Sequence, residues 1–177
     1  MVSRNDENEE VSDMNTNKRM AWILVLIVTV PGLMAANTAL TAEKDEQGVR
    51  QAATQFYAAL NAMFTGELGP MKEVWSHASD VTYMGPGGGF QVGWDQVLAE
   101  WESQAARKLG GKVEPADMRV TIGQDLAIAS DIEKGENTNA DGKLEKVSIR
   151  ATNLFRKEGG KWKMIGHHTD LLPHLAK

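Results

Sequence analysis

His168 and Asp170 stand two residues apart near the end of the sequence, in the run Lys161–Asp170, KWKMIGHHTD. Strand alternation puts Trp162, Met164, Gly166, His168 and Asp170 on one face and Lys163, Ile165, His167 and Thr169 on the other. An imidazole and a carboxylate that continue a face begun by Trp and Met predict the wall of a pocket. There Asp170 would fix the tautomer of His168 and leave its ring to act as general base. Residues i and i+2 of a strand lie about 7 Å apart, so the pair works only if the side chains lean together. Otherwise His168 supports the fold through a backbone bond. Arg150, on the neighbouring strand, needs an anion if it points inward: Asp170, Glu133 or a ligand carboxylate. His77 follows Trp75 where a short helix ends, and either lines the pocket mouth or interacts with helix-terminal carbonyls. His77, His168 and Asp170 would make a metal-binding set of two imidazoles and a carboxylate only if folding gathered them. His167 faces away from His168, so the two cannot chelate one metal, and no metal is predicted. No cofactor is expected either. Of the aromatic residues, Tyr83 is the one expected at the mouth against a flat, apolar ligand.

The elements that must position these groups are legible in the same way. Residues 144–170 read as two long strands joined at Glu158-Gly159-Gly160. Ala53, Phe56, Tyr57, Leu60 and Phe64 recur at helical spacing and predict a helix over 45–64. Pro70 opens a second, short helix, and Trp94, Val97, Leu98, Trp101 and Ala105 form one face of a third. Between them, 80–84 reads as a brief strand. The glycines from Gly85 to Gly89 make a turn; no Walker lysine follows, so a phosphate cradle does not fit. Strands are predicted at about 113–122, 126–136, 144–157 and 161–171, with Asp141-Gly142 as a hairpin signal. In the second of these, Leu126, Ile128 and Ser130 alternate. Helices first and an antiparallel meander after give an α+β domain with the long helix folded over one side of the sheet.

A chain of 177 residues with 42% hydrophobic and 24% charged residues predicts one globular domain. The net charge of -5 argues against nucleic acid as a partner. With no cysteine, disulfides, thiolate nucleophiles and Cys-ligated metals are excluded. The first 42 residues differ in kind. An acidic preamble (Asp6, Glu7, Glu9, Glu10, Asp13) precedes Lys18 and Arg19, then the apolar run 21–36, then Ala35, Ala36, Ala39 and Ala42. This order predicts a cleavable signal peptide over 1–42, with Met14 as an alternative start, and a secreted or periplasmic domain over 43–177. The alternative is a membrane anchor formed by residues 20–36, the only route to a membrane partner.

Two stretches carry a family resemblance: VWSHASDVTYMGPGGGFQVGW at 74–94 and IRATNLFRKEGGKWKMIGHHTD at 149–170. The chain resembles the SnoaL-like branch of the nuclear transport factor 2-like superfamily over about residues 46–173. The resemblance implies three N-terminal helices packed on a strongly curved, mainly antiparallel sheet, a cone whose open end holds a small molecule. It implies that Arg150 and Thr152 take the places of the branch's strand arginine and threonine. His168 takes that of its last-strand histidine, and Asp170 stands where Ser or Thr is usual. Tyr57 falls at the first-helix tyrosine of the ketosteroid isomerases in the superfamily, whereas their carboxylate base falls at about Gly85. The functional expectation is a small-molecule pocket with cofactor-independent acid/base chemistry on an apolar ligand, with Tyr57, His77, Tyr83, Arg150 and Thr152 contacting that ligand. The alternative is a non-catalytic binding or dimerisation module, and the sheet is the expected homodimer surface.

Overall fold

A computed structural model describes the backbone of residues 16–139 and 141–170, with side chains from residue 40 onward. The chain divides into two units, residues 1–43 and residues 44–177. The acidic preamble, the alternative start Met14 and the predicted strand end Leu171 lie outside the described residues.

Helix α1 runs Thr16–Met63, starting well before the predicted residue 45. Ala-rich sequence from Ala35 to Ala42 is strongly helix-forming, so the backbone continues through the predicted cleavage point. Within the second unit its stripe is buried as the spacing requires: Val49, Ala53, Phe56, Tyr57, Leu60 and Met63. Asp45 holds Lys157 in an ion pair, fixing this part of the helix to the strand that carries the lysine. Helix α2 (Gly69–Val74) carries Pro70 in its first turn, and helix α3 (Trp94–Arg107) buries Val97, Trp101 and Ala105. Lys108, in the left-handed conformation with φ 47°, closes α3 by donating its N–H to the Ala105 carbonyl.

The strands are β1 (Thr82–Met84), β2 (Gln91–Val92), β3 (Lys112–Ile122), β4 (Leu126–Thr138), β5 (Leu144–Glu158) and β6 (Lys161–Asp170). They form one sheet in the order β2-β1-β6-β5-β4-β3, antiparallel except for the β1–β6 pair. Strand β2 has no counterpart in the sequence reading, because two residues are too few to carry an alternation. Gly159 and Gly160, at φ 56° and 79°, make the two-residue turn between β5 and β6. The fold is therefore α+β, three helices and a largely antiparallel sheet.

Two irregularities bend that sheet. Pairing of β3 with β4 slips between Ala116 and Arg119, where Asp117 takes φ 59°. Pairing of β5 with β6 slips where Leu154 faces Gly166 but Phe155 faces Met164, leaving Ile165 as an extra residue in β6. A bulge bends and twists its strand, and it also reverses which face each following side chain takes.

Candidate functional site

The β6 bulge decides which polar groups face the core. Before it, Trp162 and Met164 are buried as alternation predicts; after it, His167 and Thr169 are buried, while His168 and Asp170 face outward. The expectation that His168 and Asp170 continue the Trp162–Met164 face is thus corrected, and the inserted Ile165 is the physical reason. Arg150 and Thr152 pair across the ladder with Asp170 and His168, so they share the outer face. The side chains do lean together there: His168 Nε2 lies 3.2 Å from Asp170 Oδ1, and Arg150 donates to Asp170 Oδ2 at 2.8 Å. His77 is exposed, stacks on Trp94 and donates from Nε2 to the Lys72 carbonyl of α2, the helix-terminal role. None of these five residues lines the internal cavity described next.

The inner face carries a different set. Tyr57 of α1 donates to Asp131 Oδ1 at 2.8 Å. Asn153 of β5 donates from Nδ2 to Asp131 Oδ2 and to the Tyr57 hydroxyl. Because a carboxylate can only accept, these bonds orient the Asn153 amide and leave its oxygen toward His167 Nδ1, 2.6 Å away. His167 therefore carries its proton on Nδ1 and presents a bare Nε2. Glu133 Oε1 lies 3.6 Å from that Nε2, beyond hydrogen-bond length. Neither Glu133 Oε1 nor Thr169 Oγ1 has a hydrogen-bond partner. Phe56, Tyr83 and Trp101 surround the His167 ring, with Tyr83 stacked on it at 5.8 Å and 8°.

Burial dominates the electrostatics. It pushes the Glu133 carboxyl up to about 7, with help from the neighbouring Asp131 charge. It pushes Asp131 up to about 6 against the hydrogen bonds from Tyr57 and Asn153. It pushes His167 down to about 3, so the ring stays neutral. The Tyr57 and Tyr83 hydroxyls rise above their ordinary range for the same reason and do not ionise. Beside this wall opens a cavity of about 460 Å³, within the range of small-molecule sites. Its lining is apolar at Leu60, Phe64, Val113, Val147 and Ile149 and polar at Glu133, His167 and Thr169, with the Tyr83 and Trp101 rings alongside. Tyr83 is thus brought to the cavity as the sequence reading expects; Tyr57 sits in the wall behind it, bonded to Asp131.

A family model described as a SnoaL-like domain matches residues 49–171, most of the chain. The chain belongs to the SnoaL-like family. None of the curated proteins matches it. Solved structures similar to this SnoaL-like domain include a candidate dehydratase of the nuclear transport factor 2-like family from Streptomyces avermitilis. That likeness has 23% identity and TM-score 0.65, covering 73% of this chain and 97% of that one. A candidate calcium/calmodulin-dependent protein kinase type II association domain from Thiobacillus denitrificans has 28% identity and TM-score 0.55, covering 68% and 92%. A candidate ketosteroid isomerase from Shewanella frigidimarina has 20% identity and TM-score 0.55, with the same coverage. These likenesses establish the nuclear transport factor 2-like fold.

Within the SnoaL-like domain, the position where the isomerase resemblance puts a carboxylate is sterically closed. A Cβ on Gly85 would sit 2.1 Å from the Tyr83 hydroxyl, which Gln104 also engages at 2.8 Å. The buried carboxylate that borders the cavity comes from β4 instead. Sequence reasoning named Glu133 only as a partner for Arg150, put His167 outside, and did not single out Asp131 or Asn153. A signal for the acids was present: Asp131 and Glu133 share alternation with Ala127 and Ala129, opposite Leu126 and Ile128. The aliphatic face is the exposed one (Leu126 51%, Ile128 43%), and the small-residue face is the core. Alanines there leave space for Phe56 and Tyr57 of α1, which belong to the same buried cluster.

Proposed function

We propose that this SnoaL-like domain binds a small, mainly apolar molecule in the cavity and that Glu133, beside neutral His167, is its acid–base group. The observation that carries this reading is the Glu133 carboxylate: buried, bordering the cavity, unpartnered at Oε1 and raised to about 7. A base poised near neutrality transfers protons most effectively at neutral pH, and such chemistry needs only side chains of the protein. The test is a thermal-shift screen of small apolar compounds on the full chain and on Val147→Trp, whose indole would fill the cavity. Hits on the parent that vanish in Val147→Trp support the reading; a screen with no such cavity-dependent hit sinks it. For any hit that is turned over, Glu133→Gln should lower kcat by about 10²–10⁴.

A second reading is favoured by the exposed Leu126 and Ile128 on the outer face. It is a homodimer through the sheet, in line with the association domains among the similar structures. Sedimentation of Ile128→Lys against the parent tests it; identical masses at all concentrations would count against it. Export is proposed as well. The compact unit starts at Lys44, next to the mature N-terminus near residue 43 that cleavage after Ala42 would leave. Among the described residues no helix is long and apolar enough to cross a membrane. Mass analysis of secreted material should find that N-terminus, and an intact leader in the membrane fraction would overturn export.

A further inference from the structure

The inner wall offers three acceptor groups, Glu133, His167 and Thr169, and one unpartnered donor, the Trp101 indole N–H. Glu133 is 4% exposed, His167 4% and Thr169 3%, so all three are walled off from bulk water. Glu133 Oε1 is unpartnered, His167 Nε2 is bare because the Asn153 amide holds the proton on Nδ1, and Thr169 Oγ1 is unpartnered. Two acceptors held 3.6 Å apart without a proton between them repel, and each unmade bond leaves a desolvation penalty unrecovered. A group that donates to all of them at once removes these penalties together.

The charge balance narrows the group further. Of the groups packed against Glu133 (Asp131, Tyr57, Tyr83 and His167), Asp131 alone adds charge at neutral pH, and that charge is negative. Elsewhere on the cavity lining, Lys146 and Glu145 bring one charge of each sign. Among the described residues no lysine or arginine forms an ion pair with Glu133 or Asp131. Tyr83 and Trp101 line the same cavity, and ring faces attract cations. Three acceptors, buried carboxyls with no lysine or arginine paired to them and aromatic walls fit one chemical group. We propose that the site receives the primary ammonium of an otherwise apolar amine, with Glu133, His167 and Thr169 as its three acceptors. This rests on the reading of the cavity as a small-molecule site.

Three probes of one shape separate this proposal from that reading: 4-phenylbutylamine, 4-phenylbutanol and 4-phenylbutyrate, titrated calorimetrically into the full chain at about pH 8. The amine is expected to bind at least about tenfold more tightly than the alcohol, and the carboxylate not to saturate. Glu133→Gln should abolish the amine's advantage over the alcohol, and Thr169→Val should weaken the amine more than the alcohol. Binding near pH 7 should release a proton from Glu133, seen as a heat that changes with the buffer's ionisation enthalpy. An alcohol that binds as tightly as the amine overturns the ammonium proposal and leaves the cavity reading standing, provided Val147→Trp blocks it. An amine advantage that survives in Glu133→Gln also overturns it. Failure of all three probes to bind the parent overturns the proposal for this cavity.

Discussion

His167 and His168 are adjacent in sequence and occupy opposite worlds. One is 4% exposed, packed among three aromatic rings and bonded to Asn153; the other lies on the outer face against Asp170. The same contrast runs through β5, where Asn153 is fully buried and its neighbour Thr152 pairs with His168 outside. Both faces hold a small polar network. In the outer one, Arg150, His168 and Asp170 meet in water, where ion pairs contribute little. In the inner one, every bond is made in low dielectric, so each missing partner is costly and each carboxyl is pushed toward neutrality. Position relative to the sheet, rather than residue type, puts one network in low dielectric and the other in water.

Breaking the hub of the inner network should have the largest effect. Asn153→Leu strands Asp131 and His167 without their shared partner and should cost about 3–5 kcal/mol in urea unfolding. Thr152→Val, one residue away, should stay within about 0.5 kcal/mol. Comparable losses would erase the distinction between the faces. Next in size, His167→Ala should cost about 2–4 kcal/mol through lost packing, against about 0.5 kcal/mol or less for His168→Ala. A larger loss from His168→Ala would contradict the β6 register.

A pH titration sharpens the contrast. Glu133 and Asp131 keep their protons in the folded chain up to about pH 7 and about pH 6, whereas unfolded carboxyls lose them near pH 4. The fold binds more protons across that window. Their contribution to stability is complete below about pH 4 and is lost as pH rises through 6 to 7. His167 runs the other way: its folded value near 3 lies below the unfolded value near 6.5. Its contribution is complete above about pH 6.5 and is lost as pH falls toward 3. Glu133→Gln removes one carboxyl contribution, so its melting temperature relative to the parent should rise from about pH 5 to about pH 8. A gap that stays flat would mean Glu133 is not held protonated by burial. The smallest effect belongs to the outer network, where Arg150→Ala should cost about 0–1 kcal/mol and less as salt is added. A salt-insensitive loss above that would show the outer cluster to be structural.

Much of the architecture was readable in advance because it rests on local signals. The stripe from Ala53 to Phe64 fixed a buried helical face, Pro70 a helix start, and Gly159-Gly160 a tight turn between two long strands. Predicted starts for β4, β5 and β6 coincide with the observed ones. The candidate site was mostly not readable. Its acids share a strand face with alanines that sequence alternation left unmarked, and its histidine was assigned to water.

The chain by itself thus determined periodicities, turns and the absence of thiol chemistry, all properties of residues a few positions apart. Only the tertiary structure decided which face of β6 is inside, because the bulge at Ile165 depends on how β5 and β6 pair and slip. It also decided which way Nε2 of His167 points, through an amide on β5 oriented by a carboxylate on β4. Register and burial are collective: a single inserted residue leaves hydropathy almost unchanged and exchanges which β6 groups reach the cavity.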